Sequence, residues 1–233
     1  MEYAISESFE DKINLKNDTQ ITISDEEVFR ALEMVLSLRS SETIMHTKRT
    51  SKYAHVLIQR MLKEEQYRDE LIRIDYESIT QIMRIHDIGK IGIGDNILFK
   101  PERLNTQEFE KIKSHITFGV EILNAILAGK QANSRAIQNC RDIIRYHHEH
   151  WDGEGYLEGI SGGQIPLSAR IAAVADVYDA VTSRRSYKQA SSHTEAVEII
   201  KAGAGSHFDP DIVKCFLDIT QHFQMVLENR MEE

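Results

Sequence analysis

Apolar residues recur along most of this chain at the three- and four-residue intervals that line one face of a helix. Residues 1–23 show no clear period and read as an N-terminal tail or the remnant of an upstream element. Ser24-Asp25-Glu26-Glu27 is a capping-box pattern whose acidic first turn suits the positive end of a helix dipole. A helix is predicted from there to about Arg39, with Val28, Leu32, Val35 and Leu36 facing the core. A second should span about Glu42 to Lys63, and a third about Tyr76 to His86. Asn105-Thr106 opens another, with Phe109, Ile112, Ile116, Val120 and Leu123 at helical spacing. Residues 134–148 and 166–182 read as two more, the latter opened by Pro166 in its first turn. Ser192 to Glu195 repeats the capping box, and Asp209-Pro210 starts a last helix running toward the C-terminus. The expectation is an all-α fold with one domain over residues 24–233.

Three prolines, at 101, 166 and 210, leave the periodic segments uninterrupted, while glycines gather in Gly89–Gly94 and Gly153–Gly163. Long helices separated by two functional loops follow from that distribution. With 233 residues, 41% hydrophobic and 28% charged, the chain can bury one substantial core. No apolar run approaches the ~20 residues that span a bilayer, and the acidic, polar N-terminus is no signal peptide. A cytoplasmic location is therefore expected. Cys140 and Cys215 have no CxxC partner and read as buried free thiols. The net charge of -9 argues against a polynucleotide partner but not against a small anion held by metals.

The candidate chemistry lies in histidines and carboxylates at helix ends and on helix faces. His86-Asp87 is an adjacent pair followed by Ile88-Gly89-Lys90, and His147-His148 is a second adjacent pair. Adjacent residues on a helix point about 100° apart, so such a pair can flank one metal or let the carboxylate bridge two. Lys90 lies a turn beyond His86, where its ammonium could meet an oxyanion. Glu42 and His46, at i and i+4, share a helix face. His115 and Asp176 fall among apolar neighbours, and a lone buried carboxylate is costly unless it is paired or coordinated. For Asp176 the alternatives are a metal, a helix cap or a pair with Arg170. His55, His150, His193, His207 and His222 read as ordinary packing or surface residues.

In order along the chain, these motifs resemble the HD-GYP family, a bacterial branch of the HD superfamily. They are His86-Asp87-Ile88-Gly89-Lys90, Lys113-Ser114-His115 with Gly119, His147-His148-Glu149-His150-Trp151-Asp152-Gly153-Glu154-Gly155-Tyr156, Ile165-Pro166, Arg170-Ile171, Asp176-Val177-Tyr178-Asp179-Ala180 and Phe208-Asp209-Pro210. The stretch from Glu42 to Phe216 carries the match. Two positions depart from the family pattern: Leu157 stands where the name motif has proline, and Arg185-Ser186-Tyr187-Lys188 replaces an Arg-Pro-Tyr-Arg string.

The resemblance implies an HD-domain helical bundle around a buried multinuclear metal site. It matches His86, Asp87, His115, His147, His148 and Asp176 to metal ligands, with Asp87 bridging, and Glu42 and His46 to the pair found in three-metal members. Lys90 matches the lysine beside the scissile phosphate, while Tyr156, Asp179, Arg185 and Lys188 match substrate-side positions. It implies two or three divalent cations; imidazole and carboxylate donors without thiolate suit iron or manganese, with zinc or nickel as alternatives. The expected reaction is hydrolysis of a cyclic dinucleotide, foremost cyclic di-GMP, to linear pGpG and/or GMP. The alternatives are cyclic GMP-AMP or another nucleotide as substrate, or a non-catalytic HD signalling or docking module. No receiver or sensor domain fits within residues 1–23, so a regulatory protein partner, a homodimer or a region outside this sequence is expected to supply control.

Overall fold

A computed structural model describes residues 24–39, 41–127, 134–183 and 189–229, the side chains of residues 41 and 42 excepted. The described residues form helices and two short 3-10 segments, with no strand among them. The N-terminal tail expected over residues 1–23 lies outside them.

The helix α1 (Asp25–Ser37) begins as its sequence predicts. The Ser24 hydroxyl accepts from Glu27 N at 3.2 Å while the Glu27 carboxylate accepts from Ser24 N at 2.8 Å. Its buried stripe is Val28, Phe29, Leu32 and Leu36; Val35 is instead 47% exposed, because Phe29 takes the fourth core position. The long helix α2 (Ser41–Met61) follows, then α3 (Glu65–Arg73), which the pattern missed. That helix buries only Tyr67 and Leu71 among charged residues, so its period is faint.

Two predicted ends need correction. The helix α4 (Tyr76–Ile82) stops before His86, so His86 and Asp87 lie in the turns that lead to the 3-10 segment Ile88–Gly92. Ile79, Ile82, Met83, Ile85 and Ile88 are all fully buried, and their continued helix-like spacing disguised the end of the helix. Likewise the last predicted helix is two, α10 (Pro210–Leu217) and α11 (Thr220–Leu227). Between α4 and α10 come the short α5 (Asp95–Leu98), α6 (Thr106–Leu127), α7 (Arg135–Tyr146), α8 (Leu167–Thr182) and α9 (His193–Ala202).

The centre of the bundle is α8, apolar nearly all round and flanked by α2, α7, α9 and α10. Pro166 is its N-cap, one place before the first turn expected for it. A stack of Tyr53, Tyr178, Phe216 and Phe223 joins α2, α8, α10 and α11. Both cysteines are buried and free.

Candidate metal centre

Five segments bring one candidate donor or more to a common point. His46 comes from α2, His86 and Asp87 from the turns after α4, His115 from α6, His147 and His148 from the end of α7, and Asp176 from α8. Glycines permit this convergence. A Cβ on Gly89 would lie 1.7 Å from the His115 carbonyl oxygen and 2.5 Å from Gly119 N, so only glycine lets the turn carrying Asp87 settle onto α6. At Gly155 a Cβ would lie 2.3 Å from His150 N and 2.6 Å from the His148 oxygen, so glycine also lets the loop after α7 fold back on itself.

Three imidazoles are aimed by backbone. Nδ1 of His86 meets Met83 O at 2.7 Å, that of His115 meets Ile112 O at 2.6 Å, and that of His147 meets Ile143 O at 2.8 Å. A carbonyl only accepts, so each Nδ1 carries the proton and each Nε2 presents a lone pair inward. Those three Nε2 atoms and Asp87 Oδ1 are buried without a hydrogen-bond partner. Buried polar atoms are rarely left so, and lone pairs converging on one point fit divalent cations.

The donors fall into two groups: Asp87, His115, His147 and His148, and His46, His86 and Asp176. Within each group the ligand atoms lie within 4.8 Å of one another. Asp87 faces both. Its Oδ1 is 3.4 Å from His115 Nε2 and 3.9 Å from His147 Nε2. Its Oδ2 is 3.4 Å from His86 Nε2 and 3.6 Å from His46 Nε2. Asp176 Oδ1 completes the second group, 3.4 Å from His46 Nε2 and 3.7 Å from His86 Nε2.

Electrostatics divide the groups as well. Burial first, and then the neighbouring His86, push His147 down to about 3; burial and His147 hold His148 well below its ordinary value. Burial also lowers His115. Burial opposes charge on His46 too, yet its bond to Asp179 and the Asp87 and Asp176 carboxylates raise it to about 9. Burial works against ionising Asp87, but Lys90 and the facing imidazoles hold it well below the carboxylate range. Asp176 is likewise held low, burial being outweighed by His86 and His46.

Lys90 Nζ lies 2.5 Å from Asp87 Oδ2, at the edge of the site expected for it. Tyr156 stacks on His148 with ring centroids 4.8 Å apart, and Lys113 Nζ sits 5.4 Å from the Tyr156 ring centre. Asp179, matched to the substrate side, has a side chain 1% exposed and is bonded to Arg49 and His46. Arg170 pairs with Asp209 at 2.6 Å, which removes it as the partner of Asp176. The Glu42 side chain, Arg185 and Lys188 lie outside the described residues. Neither donor group includes His55, His150, His193, His207 or His222, and His193 bonds the Tyr178 hydroxyl at 2.7 Å. Sequence reasoning missed Arg49, whose only signal was its place one turn after His46. Within the His147–Tyr156 motif it gave no role to Glu149, whose buried carboxylate accepts from Glu158 N at 2.6 Å and Gly159 N at 3.1 Å to close the loop carrying Tyr156.

The profile of the HD domain family matches residues 30–212. This chain belongs to the HD-domain family. The HD-GYP likeness of its motifs agrees with the relatives of this HD domain. It is 39% identical over 219 residues to a probable cyclic di-GMP phosphodiesterase of Vibrio cholerae, covering 94% of this chain and 50% of that protein. A cyclic di-GMP phosphodiesterase of Thermotoga maritima is 36% identical over 207 residues, 89% of this chain and 52% of that one. The 3'3'-cGAMP-specific phosphodiesterase 2 of Vibrio cholerae is 35% identical over 221 residues, 95% and 39% of the two chains. The chain thus spans about half or less of these relatives' length. An HDG"Y"P protein from Bdellovibrio bacteriovorus shares the fold with a TM-score of 0.56 at 15% identity, over 84% of this chain and 61% of that one.

Proposed function

We propose that this HD domain is a metal-dependent phosphodiesterase that opens a cyclic dinucleotide, foremost cyclic di-GMP, to linear pGpG and/or GMP. The carrying observation is Asp87, whose two oxygens face two separate groups of inward-aimed donors. That arrangement fits a carboxylate shared by two divalent cations, with iron or manganese favoured by the donor set. Such cations supply a water nucleophile at neutral pH and neutralise phosphoryl oxygens. Glu42, one turn before His46, extends the proposal to a third cation.

The chain's own residues do the rest. Backbone carbonyls hold His86, His115 and His147 in the tautomer that presents Nε2, so no reorientation is needed when ligands bind. Lys90, 28% exposed, places a positive charge beside Asp87, where a phosphoryl oxygen would gain negative charge in the transition state. Tyr156, backed by His148 and Lys113, offers a ring to a purine face, and Arg185 and Lys188 are proposed to bind the nucleotide's phosphates or guanine edge.

A second substrate, cyclic GMP-AMP, is favoured by the likeness to the 3'3'-cGAMP-specific relative. A cytoplasmic location is part of the proposal; no helix among the described residues is long and apolar enough to cross a membrane. A regulatory protein or a second copy of this chain is proposed to control it. The test is turnover of cyclic di-GMP and 3'3'-cGAMP side by side by protein loaded anaerobically with Mn²⁺ or Fe²⁺. Chelator-sensitive hydrolysis, faster on cyclic di-GMP, is expected. Metal-loaded protein that cleaves neither overturns the reading in favour of a non-catalytic module.

A further inference from the structure

Of the site imidazoles whose Nδ1 bond is described, His46 pairs with a side chain, while His86, His115 and His147 pair with backbone. Nδ1 of His46 pairs with Asp179 Oδ2 at 2.8 Å, which turns Nε2 toward Asp87 and Asp176. Asp179 is itself fixed from three directions. Arg49 Nε donates to Oδ1 at 2.5 Å, Arg49 Nη2 donates to Oδ2 at 3.0 Å, and the Ser183 hydroxyl donates to Oδ2 at 3.2 Å. Arg49 Nη2 also donates to Ser183 Oγ at 2.8 Å, closing the ring. The pattern is set by helical spacing: His46 and Arg49 are i and i+3 on α2, and Asp176 and Asp179 are i and i+3 on α8. One residue of each pair reaches the donor group, and the other lies a turn away and braces it.

We propose that Asp179 and Arg49 are positioning residues that aim the His46 imidazole at the second donor group, and that Asp179 does not contact substrate. The carboxylate fixes Nδ1 as the protonated nitrogen and makes Nε2 a stronger donor. Without Arg49 the Asp179 carboxylate, 1% exposed, would keep only His46 and Ser183 as described partners, both on Oδ2, and a buried charge so poorly compensated is disfavoured. A guanidinium fork spans both oxygens of Asp179 and the Ser183 hydroxyl at once, which a single ammonium cannot do. The inference rests on the metal reading of the site but not on the identity of the nucleotide.

The experiment is calorimetric titration of the whole chain with Mn²⁺, alongside elemental analysis, for wild type, Asp179→Asn, Arg49→Ala and Arg49→Lys. Wild type should show at least two binding classes. Asp179→Asn should weaken one class by about 10–100-fold, the range for losing a residue that orients a ligand. Arg49→Ala should move the same class in the same direction, and Arg49→Lys should recover it only in part. In Zn²⁺-loaded protein with ¹⁵N-labelled histidine, the low-field His46 Nδ1 proton should move upfield in Asp179→Asn, a change that a purely structural role would not produce. Unchanged Mn²⁺ affinity with a raised KM would return Asp179 to the substrate side and overturn the proposal. Loss of every class together with a fall in Tm would make the pair a fold element and overturn it too. Wild type that binds no Mn²⁺ would overturn both this inference and the metal reading, whereas metal binding without turnover would count against the proposed reaction alone.

Discussion

The two donor groups that meet at Asp87 are built by different means. His115 and His147 are buried in low-dielectric surroundings, and each is aimed by a carbonyl of its own helix three or four residues back. His46 is aimed by a carboxylate 133 residues away in sequence and sits among three acidic side chains. Burial therefore dominates in the first group, leaving neutral imidazoles whose lone pairs have no proton to compete with. Charge dominates at His46 in the second, where a proton is stabilised by the carboxylates that would hold a cation. Local backbone thus aims the His115 and His147 imidazoles, once the turn carrying Asp87 is seated on α6. In the other half-site His86 is also aimed by backbone, but His46 depends on the packing of α2 against α8.

The largest expected effect comes from removing the group that both halves share. Asp87→Ala should bring turnover below detection and lower the Mn²⁺ content measured by elemental analysis, because two cations would face each other without their common anion. Near-normal catalysis would show that the halves act separately. Next is Lys90→Ala, which should reduce kcat by about 10²–10³, as expected when one preorganised charge is lost, with little change in Mn²⁺ content. A matching loss of metal would instead make Lys90 a partner of Asp87 in holding the site. The smallest effect targets the seat of the turn that carries Asp87 against α6. Gly89→Ala forces a methyl group against the His115 carbonyl, and overpacking of that kind should cost about 3 kcal/mol. In a chain of this size that lowers Tm by roughly 6–12 °C, measurable by calorimetry. An unchanged melting curve would mean that the turn carrying Asp87 yields easily and is not held rigidly on α6.

The same contrast explains what could be read from the sequence. Capping boxes at Ser24 and Ser192 are local chemistry, and both helices begin where those residues place them. The adjacent pairs His86-Asp87 and His147-His148 took their weight from their order among the other HD-GYP-like motifs, and the fold brings all four into the donor groups. The true end of α4 was hidden, since the turns after it are as buried as the helix and continue its helix-like apolar spacing. Phe109 kept helical spacing yet is 44% exposed, where it meets Tyr156 edge-on at 6.0 Å. Asp179 was the hardest to read. Its partners Arg49 and His46 lie on another helix, and nothing in the local pattern distinguishes a carboxylate that braces a ligand from one that awaits a substrate.

The central claim is that Asp87 serves two cations held by two differently built groups. Anomalous diffraction from crystals of the protein grown with Mn²⁺ tests it most directly. The account predicts two strong peaks about 3.5–4 Å apart, one beside His115, His147 and His148 and the other beside His46, His86 and Asp176, with an Asp87 oxygen on each. A single peak, or two peaks of which only one touches Asp87, would contradict it.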